Sequence, residues 1–204
     1  MKSKGSLVVI SGPSGSGKGT VVKKLREIMP DVALSVSATT RAPREGEADG
    51  REYYFITRDD FEDMVAQGEI LEFTSYCGNY YGTPKKEAER ITGEGRDLIL
   101  EIEVDGASQI KRLMPDAVTI MLIPPSLTEL ESRLRGRGTE TEQVIANRLA
   151  RARDEIGLAG SYDYVVVNEN DGIEKCAENI RDIIRAERNK SARMTYITDT
   201  FLDN

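Results

Sequence analysis

A glycine-rich stretch, GPSGSGKGT at residues 12–20, constrains the fold of this chain more than any other part of the sequence. The β-branched run before it, residues 6–11, predicts a buried strand, and the apolar spacing after it, residues 20–29, predicts a helix. Between such elements, the backbone N–H groups of the loop and the N-terminus of the helix face a phosphate group. The residues predicted to hold the phosphates of a nucleotide are Gly12, Pro13, Ser14, Gly15, Ser16, Gly17, Lys18, Gly19 and Thr20.

The loop departs from the pattern G-x-x-x-x-G-K-[ST] at its last position, where Gly19 follows Lys18 and the hydroxyl comes one residue later, at Thr20. Lys18 still supplies a mobile charge that can bridge the transferring phosphates. Gly19 removes one possible ligand of Mg²⁺ and leaves the phosphate cradle unchanged. Because Mg²⁺ keeps several of its waters, we expect Thr20 to contact a phosphate or to hold the metal through water.

The composition excludes some classes of partner and chemistry. The 204 residues fit one domain, 31% of them are charged, and the net charge is −7. We therefore expect no affinity for nucleic acid or for an anionic membrane, so a local cluster of Arg and Lys must hold any anionic ligand. The sequence has no histidine, which excludes that side chain as base or metal ligand. Cys77 and Cys176 predict two reduced thiols in a cytoplasmic protein.

Strands that alternate with helices predict an α/β fold with a parallel sheet covered on both faces. Apolar runs at residues 97–104, 117–123 and 164–167 predict further buried strands. Residues 52–56 and 70–76 interrupt this rhythm, because their aromatic-rich alternation predicts antiparallel strands in an inserted lobe. The last predicted helix, at about residues 171–189, places four apolar side chains on one face: Ile173, Ala177, Ile180 and Ile184.

Residues 126–158 are strongly charged and predict a helical hairpin. Ser126 and Glu129 form a capping-box pattern at its start. Glycines at 136 and 138 interrupt the helix, and Thr139 with Glu142 predicts the start of a second one. A hairpin of this kind is a candidate lid over a binding site.

Two further clusters favour phosphoryl transfer to a second substrate. Arg41 and Arg44 flank Pro43 in a loop, where two guanidinium groups can converge on one phosphate, unless they are simply solvated. Glu72 precedes the tyrosine-rich stretch GNYYGT, residues 78–83, which could also be an ordinary aromatic hairpin. The N-K-x-D motif that a GTP-hydrolysing switch uses to bind guanine does not occur.

Together these segments resemble the guanylate kinases, and the resemblance runs over nearly the whole chain. It rests on GPSGSGKGT (12–20), SVSATTRAPREGEADGREYYF (35–55), GNYYGT (78–83), LRGRGTETE (134–142) and VVVN (165–168). The resemblance implies transfer of the γ-phosphoryl group of ATP to GMP, and to dGMP, with Mg²⁺. It also implies a P-loop kinase three-layer core at residues 1–36, 93–125 and 159–190. An inserted mixed β GMP-binding lobe would span 37–92, a helical lid 126–158 and a polar tail 191–204.

The resemblance also assigns roles to residues at matching positions. The residues that would bind the phosphate of GMP are Arg41, Arg44, Tyr53 and Tyr81. Those that would recognise its guanine base are Ser37, Glu72, Thr83 and Glu101. On the ATP side, Arg137 and Arg148 would join Lys18 and Arg41 as catalytic residues, with Arg133 and Asn168 near the adenine. Independently of the resemblance, a carboxylate such as Glu72 can accept from both N–H donors on the guanine edge that adenine lacks.

Two departures from the family pattern concern the metal. Gly19 stands where the family commonly has Ser, and the segment L-E-I-E, residues 100–103, stands where it commonly has L-D-I-D. Glu101 and Glu103 would share a face at the carboxyl end of a strand, where ligands bind. The resemblance implies that Glu103, together with Thr20, contacts Mg²⁺ through water. The alternatives are another nucleoside-monophosphate kinase and a non-catalytic guanylate-kinase-like binding domain. The expected partners are ATP and GMP, and the expected state is a monomer or small homo-oligomer.

Overall fold

A computed structural model describes residues 4–136 and 141–194 of the chain. The strands are β1 (Leu7–Ser11), β2 (Ala33–Leu34), β3 (Ser37–Thr39), β4 (Tyr53–Phe55), β5 (Ile70–Tyr76), β6 (Asn79–Pro84), β7 (Leu98–Glu101), β8 (Val118–Ile123) and β9 (Tyr164–Val167). The helices are α1 (Lys18–Ile28), α2 (Arg58–Ala66), α3 (Lys85–Gly93), α4 (Val104–Leu113), α5 (Leu127–Gly136), α6 (Glu142–Gly157) and α7 (Ile173–Arg188). Short 3-10 turns lie at Ala159–Ser161 and Ser191–Arg193.

The core of the protein is a five-stranded parallel sheet with the order β2-β7-β1-β8-β9. Successive side chains of β1 point to opposite faces, as the period of a strand requires. Val8 and Ile10 pack with α1 and α7 on one face, while Leu7 and Val9 pack with α3 and α4 on the other. This confirms the predicted α/β fold, with a parallel sheet between two layers of helix. On α7, the predicted apolar face is the buried one.

A second, mixed sheet has the order β4-β3-β6-β5. The β5–β6 and β3–β6 pairs are antiparallel, but β4 runs parallel to β3, with Ser37 opposite Tyr53. The prediction that residues 52–56 form an antiparallel strand was therefore wrong. The physical reason is the connection: residues 40–52 form a long loop that carries the chain back to the start of β3, and a crossover of that length allows parallel pairing.

A tight turn at Cys77 and Gly78 joins β5 to β6, since Tyr76 pairs directly with Asn79. Both turn residues have positive φ, 49° for Cys77 and 78° for Gly78, which matches the twist of the two strands. Cys77 is exposed on this turn, whereas Cys176 lies on the buried face of α7. Both cysteines are free thiols, as the sequence predicts.

The strand predicted at residues 97–104 is shorter than expected. β7 ends at Glu101, which pairs with Ile10, and α4 begins at Val104 with Glu103 as its N-cap residue. The inference that Glu101 and Glu103 share a strand face was therefore wrong, because Glu103 lies beyond the last residue of the strand, at the start of the next helix.

The predicted helical hairpin is formed by α5 and α6. The Ser126 hydroxyl accepts from the Glu129 N–H at 3.0 Å, which confirms the predicted cap. α6 is capped by Thr141, whose hydroxyl accepts from the Val144 N–H at 3.4 Å. The predicted break at Gly138 and restart at Thr139 lie outside the described residues. The hairpin has a small apolar cluster of its own: Leu130, Leu134, Ile145 and Ala152. Within the ranges 4–136 and 141–194, no helix is long and apolar enough to cross a membrane.

Candidate active site

The glycine-rich loop between β1 and α1 requires glycine at three of its positions. Gly12, Gly15 and Gly17 have φ angles of 151°, 92° and 92°, in the region that residues with side chains rarely adopt. A Cβ at Gly12 would also lie 2.0 Å from the Leu122 carbonyl oxygen of the adjacent strand. The backbone therefore curls tightly against the carboxyl end of the sheet, which is where ligands bind in open α/β folds.

Lys18 begins α1, and its amine folds back over the loop. Its Nζ donates to the carbonyl oxygen of Gly12 at 2.6 Å and to that of Pro13 at 3.4 Å. Neither carbonyl carries a formal charge, so a phosphate oxygen can replace either one as the stronger acceptor. The lysine is thus held where the predicted phosphates would lie.

The helical hairpin touches the loop directly. Arg148 of α6 donates from Nη1 to the Ser14 hydroxyl at 2.9 Å. From α5, the Leu130 side chain lies 2.8 Å from where a Cβ at Gly15 would stand. Arg148 therefore reaches the tip of the loop, while Arg137 lies outside the described residues.

Arg133 and Asn168 support the loop from behind. Asn168 is buried, and its Nδ2 donates to the Ser16 carbonyl oxygen at 2.8 Å. Arg133 donates from Nη2 to the Asn168 carbonyl oxygen at 2.9 Å. These contacts position the backbone of the loop, and the predicted contact of both residues with adenine stays a prediction.

Arg41 lies in the loop between β3 and β4, where a carboxylate already holds it. Its Nη1 and Nη2 donate to the two oxygens of Glu47 at 2.9 and 3.0 Å. Glu47 also accepts from the backbone N–H of Arg44 at 2.8 Å, and the hydrogen bond from Arg41 is the main reason its pKa is lowered. The sequence prediction missed Glu47, although an acid three residues after Arg44 was a visible signal.

Aromatic rings surround the Arg41 guanidinium. It lies 5.4 Å from the ring centroid of Tyr53 and 5.7 Å from that of Phe55, within the range of cation–π attraction. Tyr53 meets Tyr81 edge-on at 5.9 Å. Three of the four residues predicted to hold the phosphate of GMP therefore lie together, and the fourth, Arg44, is exposed on the same loop.

Glu72 is buried on β5, at an irregularity in the pairing between Ile70 and Phe73. Its Oε1 accepts from the Thr83 hydroxyl at 2.7 Å, which joins two of the predicted guanine-reading residues. Burial raises the pKa of Glu72, and the hydrogen bonds from Thr83 oppose that effect. A shift of pairing in a strand redirects side chains, which explains how a carboxylate on this sheet points towards the core helix α4.

Glu101 stands at the carboxyl end of β7, between Lys18 and Glu103. The surrounding protein raises the pKa of Glu101 by desolvation, the charge of Lys18 lowers it, and that of Glu103 raises it further. Its Oε1 lies 3.4 Å from where a Cβ at Gly19 would stand. The residue nevertheless remains open to the cleft.

One cleft of about 500 Å³ brings the two sheets and the hairpin together. Nine predicted site residues line it: Ser14, Lys18, Ser37, Tyr53, Glu72, Tyr81, Glu101, Glu103 and Arg148. Thr83 lines an adjoining cavity of about 280 Å³ with Ser37 and Glu101, whereas Thr20 is exposed on α1 outside both.

Arg151 and Glu155 of α6 also line the cleft, and the sequence analysis did not predict them. They form an ion pair in which Arg151 Nε lies 2.7 Å from Glu155 Oε1. Their signal in the sequence was the charge alternation of residues 148–155.

Known proteins match this chain over nearly all its length. The family model described as guanylate kinase matches residues 4–187. The guanylate kinase of Lactococcus lactis subsp. lactis (strain IL1403) is 50% identical over 194 residues, covering 95% of this chain and 94% of the relative. That of Clostridioides difficile (strain 630) is 48% identical over 194 residues, with shares of 95% and 94%.

Among solved structures, the crystal structure of guanylate kinase from Anaplasma phagocytophilum is 38% identical, with a TM-score of 0.72. The match covers 94% of this chain and 90% of that one. Sequence and structure thus agree across the core sheet, the mixed sheet and the hairpin, and the chain belongs to the guanylate kinase family.

Proposed function

We propose that the 500 Å³ cleft is the place where this enzyme, an ATP:GMP phosphotransferase of the guanylate kinase family, brings its two substrates together. The reaction transfers the γ-phosphoryl group of ATP to GMP and gives ADP and GDP. One observation carries the proposal: Lys18 of the phosphate loop and Glu72 of the mixed sheet line the same cleft. The first suits the phosphates of the donor, and the second suits the base of the acceptor.

Glu72 selects guanine in this proposal. Guanine presents N1–H and N2–H₂ donors, and an ionised carboxylate accepts from both, whereas adenine would leave the buried carboxylate unpaired. The hydrogen bond from Thr83 fixes one oxygen of Glu72, so the orientation of the carboxylate is set before the base arrives. Ser37 lines the cleft beside them and completes the polar wall.

Arg41, Arg44, Tyr53 and Tyr81 hold the phosphate of GMP. Glu47 occupies one side of the Arg41 guanidinium, and the remaining N–H groups of a guanidinium can still donate to a second anion. The rings of Tyr53 and Phe55 limit where the guanidinium can move. Arg41 is therefore oriented in advance, which reduces the ordering cost of binding the phosphate.

The phosphate loop, Lys18 and Arg148 hold the phosphates of ATP, and Arg137 and Arg148 act on the transferred group. The curled backbone offers N–H groups to the anion, and Lys18 needs only to exchange neutral carbonyls for phosphate oxygens. Arg148 reaches the same loop at Ser14, so closure of the hairpin would complete the site. In this proposal, Arg133 and Asn168 also lie on the ATP side, near the adenine.

The chemistry needs no general base. The acceptor is a phosphate whose second pKa is about 6, so at neutral pH its oxygen is already deprotonated. This fits a sequence without histidine. The obstacle is repulsion between two anions, which the positive side chains offset while they hold acceptor and donor in line. A closed hairpin excludes water, which would otherwise take the phosphoryl group.

Magnesium is the expected cofactor, and the residues of the cleft fit it. Within residues 4–136 and 141–194 there is no cluster of three His, Cys, Asp or Glu side chains that could enclose a metal. A cation held mainly by phosphate oxygens and water needs only a few protein oxygens, and Glu103 in the cleft, with Thr20 on α1, would supply these through water. When bound, Mg²⁺ would supply positive charge that offsets the negative charge of the ATP phosphates.

An acceptor panel tests the proposal. ADP release is measured with ATP and each of GMP, dGMP, AMP, CMP, UMP and TMP. We expect GMP to be the best acceptor, with turnover of dGMP as well. A preference for AMP or a pyrimidine nucleotide would contradict the assignment of Glu72, and GMP binding without turnover would favour the non-catalytic domain instead.

The proposal extends to the setting of the enzyme. Residues 37–92 and 126–158 would close on the core as separate bodies when both substrates bind. Two free thiols suit the reducing cytoplasm. We expect a monomer or small homo-oligomer, which light scattering coupled to size-exclusion chromatography measures directly.

A further inference from the structure

We propose that Gly19 and Glu101 act as one unit, in which the Glu101 carboxylate replaces the hydroxyl that a phosphate loop ordinarily carries directly after its lysine. In this unit, Glu101 is a positioning residue for Lys18 and for the hydrated magnesium of ATP, not a reader of guanine. The inference rests on the ATP site proposed above.

The first argument is that the backbone does not require glycine at position 19. Gly12, Gly15 and Gly17 have positive φ angles, but Gly19 lies within α1 and has no such angle. Glycine is also a poorer helix former than alanine, so the helix itself gives no reason for glycine here. Its small size at this position must therefore serve something other than the curl of the loop.

The second argument concerns the group that lies next to the space a side chain at position 19 would fill. Of the described residues, leaving aside the chain neighbours of Gly19 and the nearby backbone of α1, only the carboxylate of Glu101 comes within 4 Å of a Cβ at this position, with Oε1 at 3.4 Å and Oε2 at 3.9 Å. A Ser or Thr hydroxyl at position 19 would extend from that Cβ and compete for the same region. One oxygen acceptor is thus exchanged for another at nearly the same place.

The third argument is electrostatic. Glu101 is close enough to Lys18 for the two charges to interact, and Glu103 faces it from the start of α4. A hydroxyl would be neutral, whereas the carboxylate adds negative charge beside the lysine and the loop. Negative charge suits a site that receives a divalent cation, and it can orient metal-bound water by accepting its hydrogens.

A double-mutant cycle tests the inference through binding alone. The proteins are the parent, Gly19→Ser, Glu101→Asp and the double variant. Calorimetry measures the affinity of each for a non-hydrolysable ATP analogue, with Mg²⁺ and with EDTA, and separately for GMP. Because Asp withdraws its carboxylate and Ser crowds Glu101, we expect each single change to weaken Mg²⁺-dependent analogue binding by about tenfold. The double variant should recover to within about threefold of the parent.

Each outcome bears on the inference. A coupling of tenfold or more in Mg²⁺-dependent binding, with GMP affinity unchanged, supports it. Additive losses, or losses confined to GMP affinity, would overturn it and return Glu101 to the guanine site. Glu103→Asp combined with Gly19→Ser is the matched control, because Glu103 has no atom within 4 Å of that Cβ position, and this pair should be additive.

The same preparations separate this inference from the proposed function. If the parent protein fails to phosphorylate GMP, the proposed function is wrong whatever the cycle shows. If the parent phosphorylates GMP and the cycle is additive, only the unit of Gly19 and Glu101 is wrong.

Discussion

Glu72 of β5 lies against Gly106 of α4: a Cβ at Gly106 would stand only 2.5 Å from Oε2 of Glu72. Gly106 is in α4 and has no positive φ, so its backbone tolerates other residues. The absence of its side chain leaves room for the buried carboxylate. A glycine on a core helix therefore sets the position of a side chain on the mixed sheet.

Gly106→Ala should weaken GMP binding without unfolding the protein. The new methyl group pushes the Glu72 carboxylate aside, while alanine favours the helix by about 1 kcal/mol, which offsets part of the crowding. We expect the KM for GMP to rise by about tenfold, with the KM for ATP unchanged. Gly93→Ala is the control, because a Cβ at Gly93 meets nothing within 4 Å. An unchanged KM for GMP in Gly106→Ala would show that the carboxylate position does not matter.

Glu72→Gln should lose the preference for GMP over AMP. An amide presents one acceptor oxygen and one donor group, so it cannot accept from both guanine donors. We expect the ratio of kcat/KM values for GMP and AMP to fall by about a hundredfold or more, in line with the loss of two hydrogen bonds at a buried charged group. The measurement is the steady-state ratio with both acceptors. A retained ratio would place guanine recognition elsewhere.

The raised pKa of Glu72 should appear as a pH-dependent stability. The folded state holds the proton of this carboxyl more tightly than the unfolded chain does, for which the ordinary pKa is 4.5. Its contribution is therefore fully present below pH 4.5 and is lost as the pH rises through the folded pKa. Denaturant unfolding of parent and Glu72→Gln without nucleotide should show the parent losing stability relative to the variant over that range. A parallel pH dependence would contradict the shift.

Lys18→Ala should lower turnover by at least about tenfold, because it removes charge that stabilises the transferring phosphoryl group. GMP affinity should hardly change, since the amine contacts the phosphate loop and not the mixed sheet. Lys23→Ala, an exposed lysine of the same helix, is the control. Turnover equal to that of the parent would refute the role of Lys18.

Asp97→Ala should destabilise the fold away from the cleft. Asp97 is buried, and its two oxygens accept from the Ser6 N–H and from Arg188 Nε, both at 2.6 Å. Removing it leaves the buried Ser6 N–H unpaired and takes from Arg188 its buried partner, at a cost of about 2–3 kcal/mol. Asp31→Ala removes the exposed partner of the same arginine and should cost at most about 1 kcal/mol. Equal costs, measured by urea unfolding, would contradict this difference.

Features set by local sequence could be predicted. The strand, loop and helix around Lys18 depend on neighbouring residues, and the structure has them where the sequence places them. The fold class followed from the same alternation of strands and helices. The roles predicted for the motif residues from Ser37 to Arg148 come from segments that resemble a known family.

Features set by distant partners could not be predicted in the same way. The direction of β4 depends on how residues 40–52 lead the chain back to β3, and nothing within residues 52–56 encodes that. The end of β7 was missed because the apolar alternation continues through Ile102 and Val104 after the strand has no further partner. The contacts of Glu72 with Gly106 and of Glu101 with Gly19 join residues from different elements, so only the three-dimensional structure shows them.

The two cysteines differ enough in environment to make the unaltered protein a ready spectroscopic probe. Cys176 is 1% exposed, and burial raises the pKa of its thiol to about 11, so alkylating dyes should react slowly with it at neutral pH. Cys77 stands exposed at the turn between β5 and β6. A maleimide fluorophore should therefore attach at that single point, and its emission could follow the mixed sheet in real time as substrates enter, with no engineered labelling site.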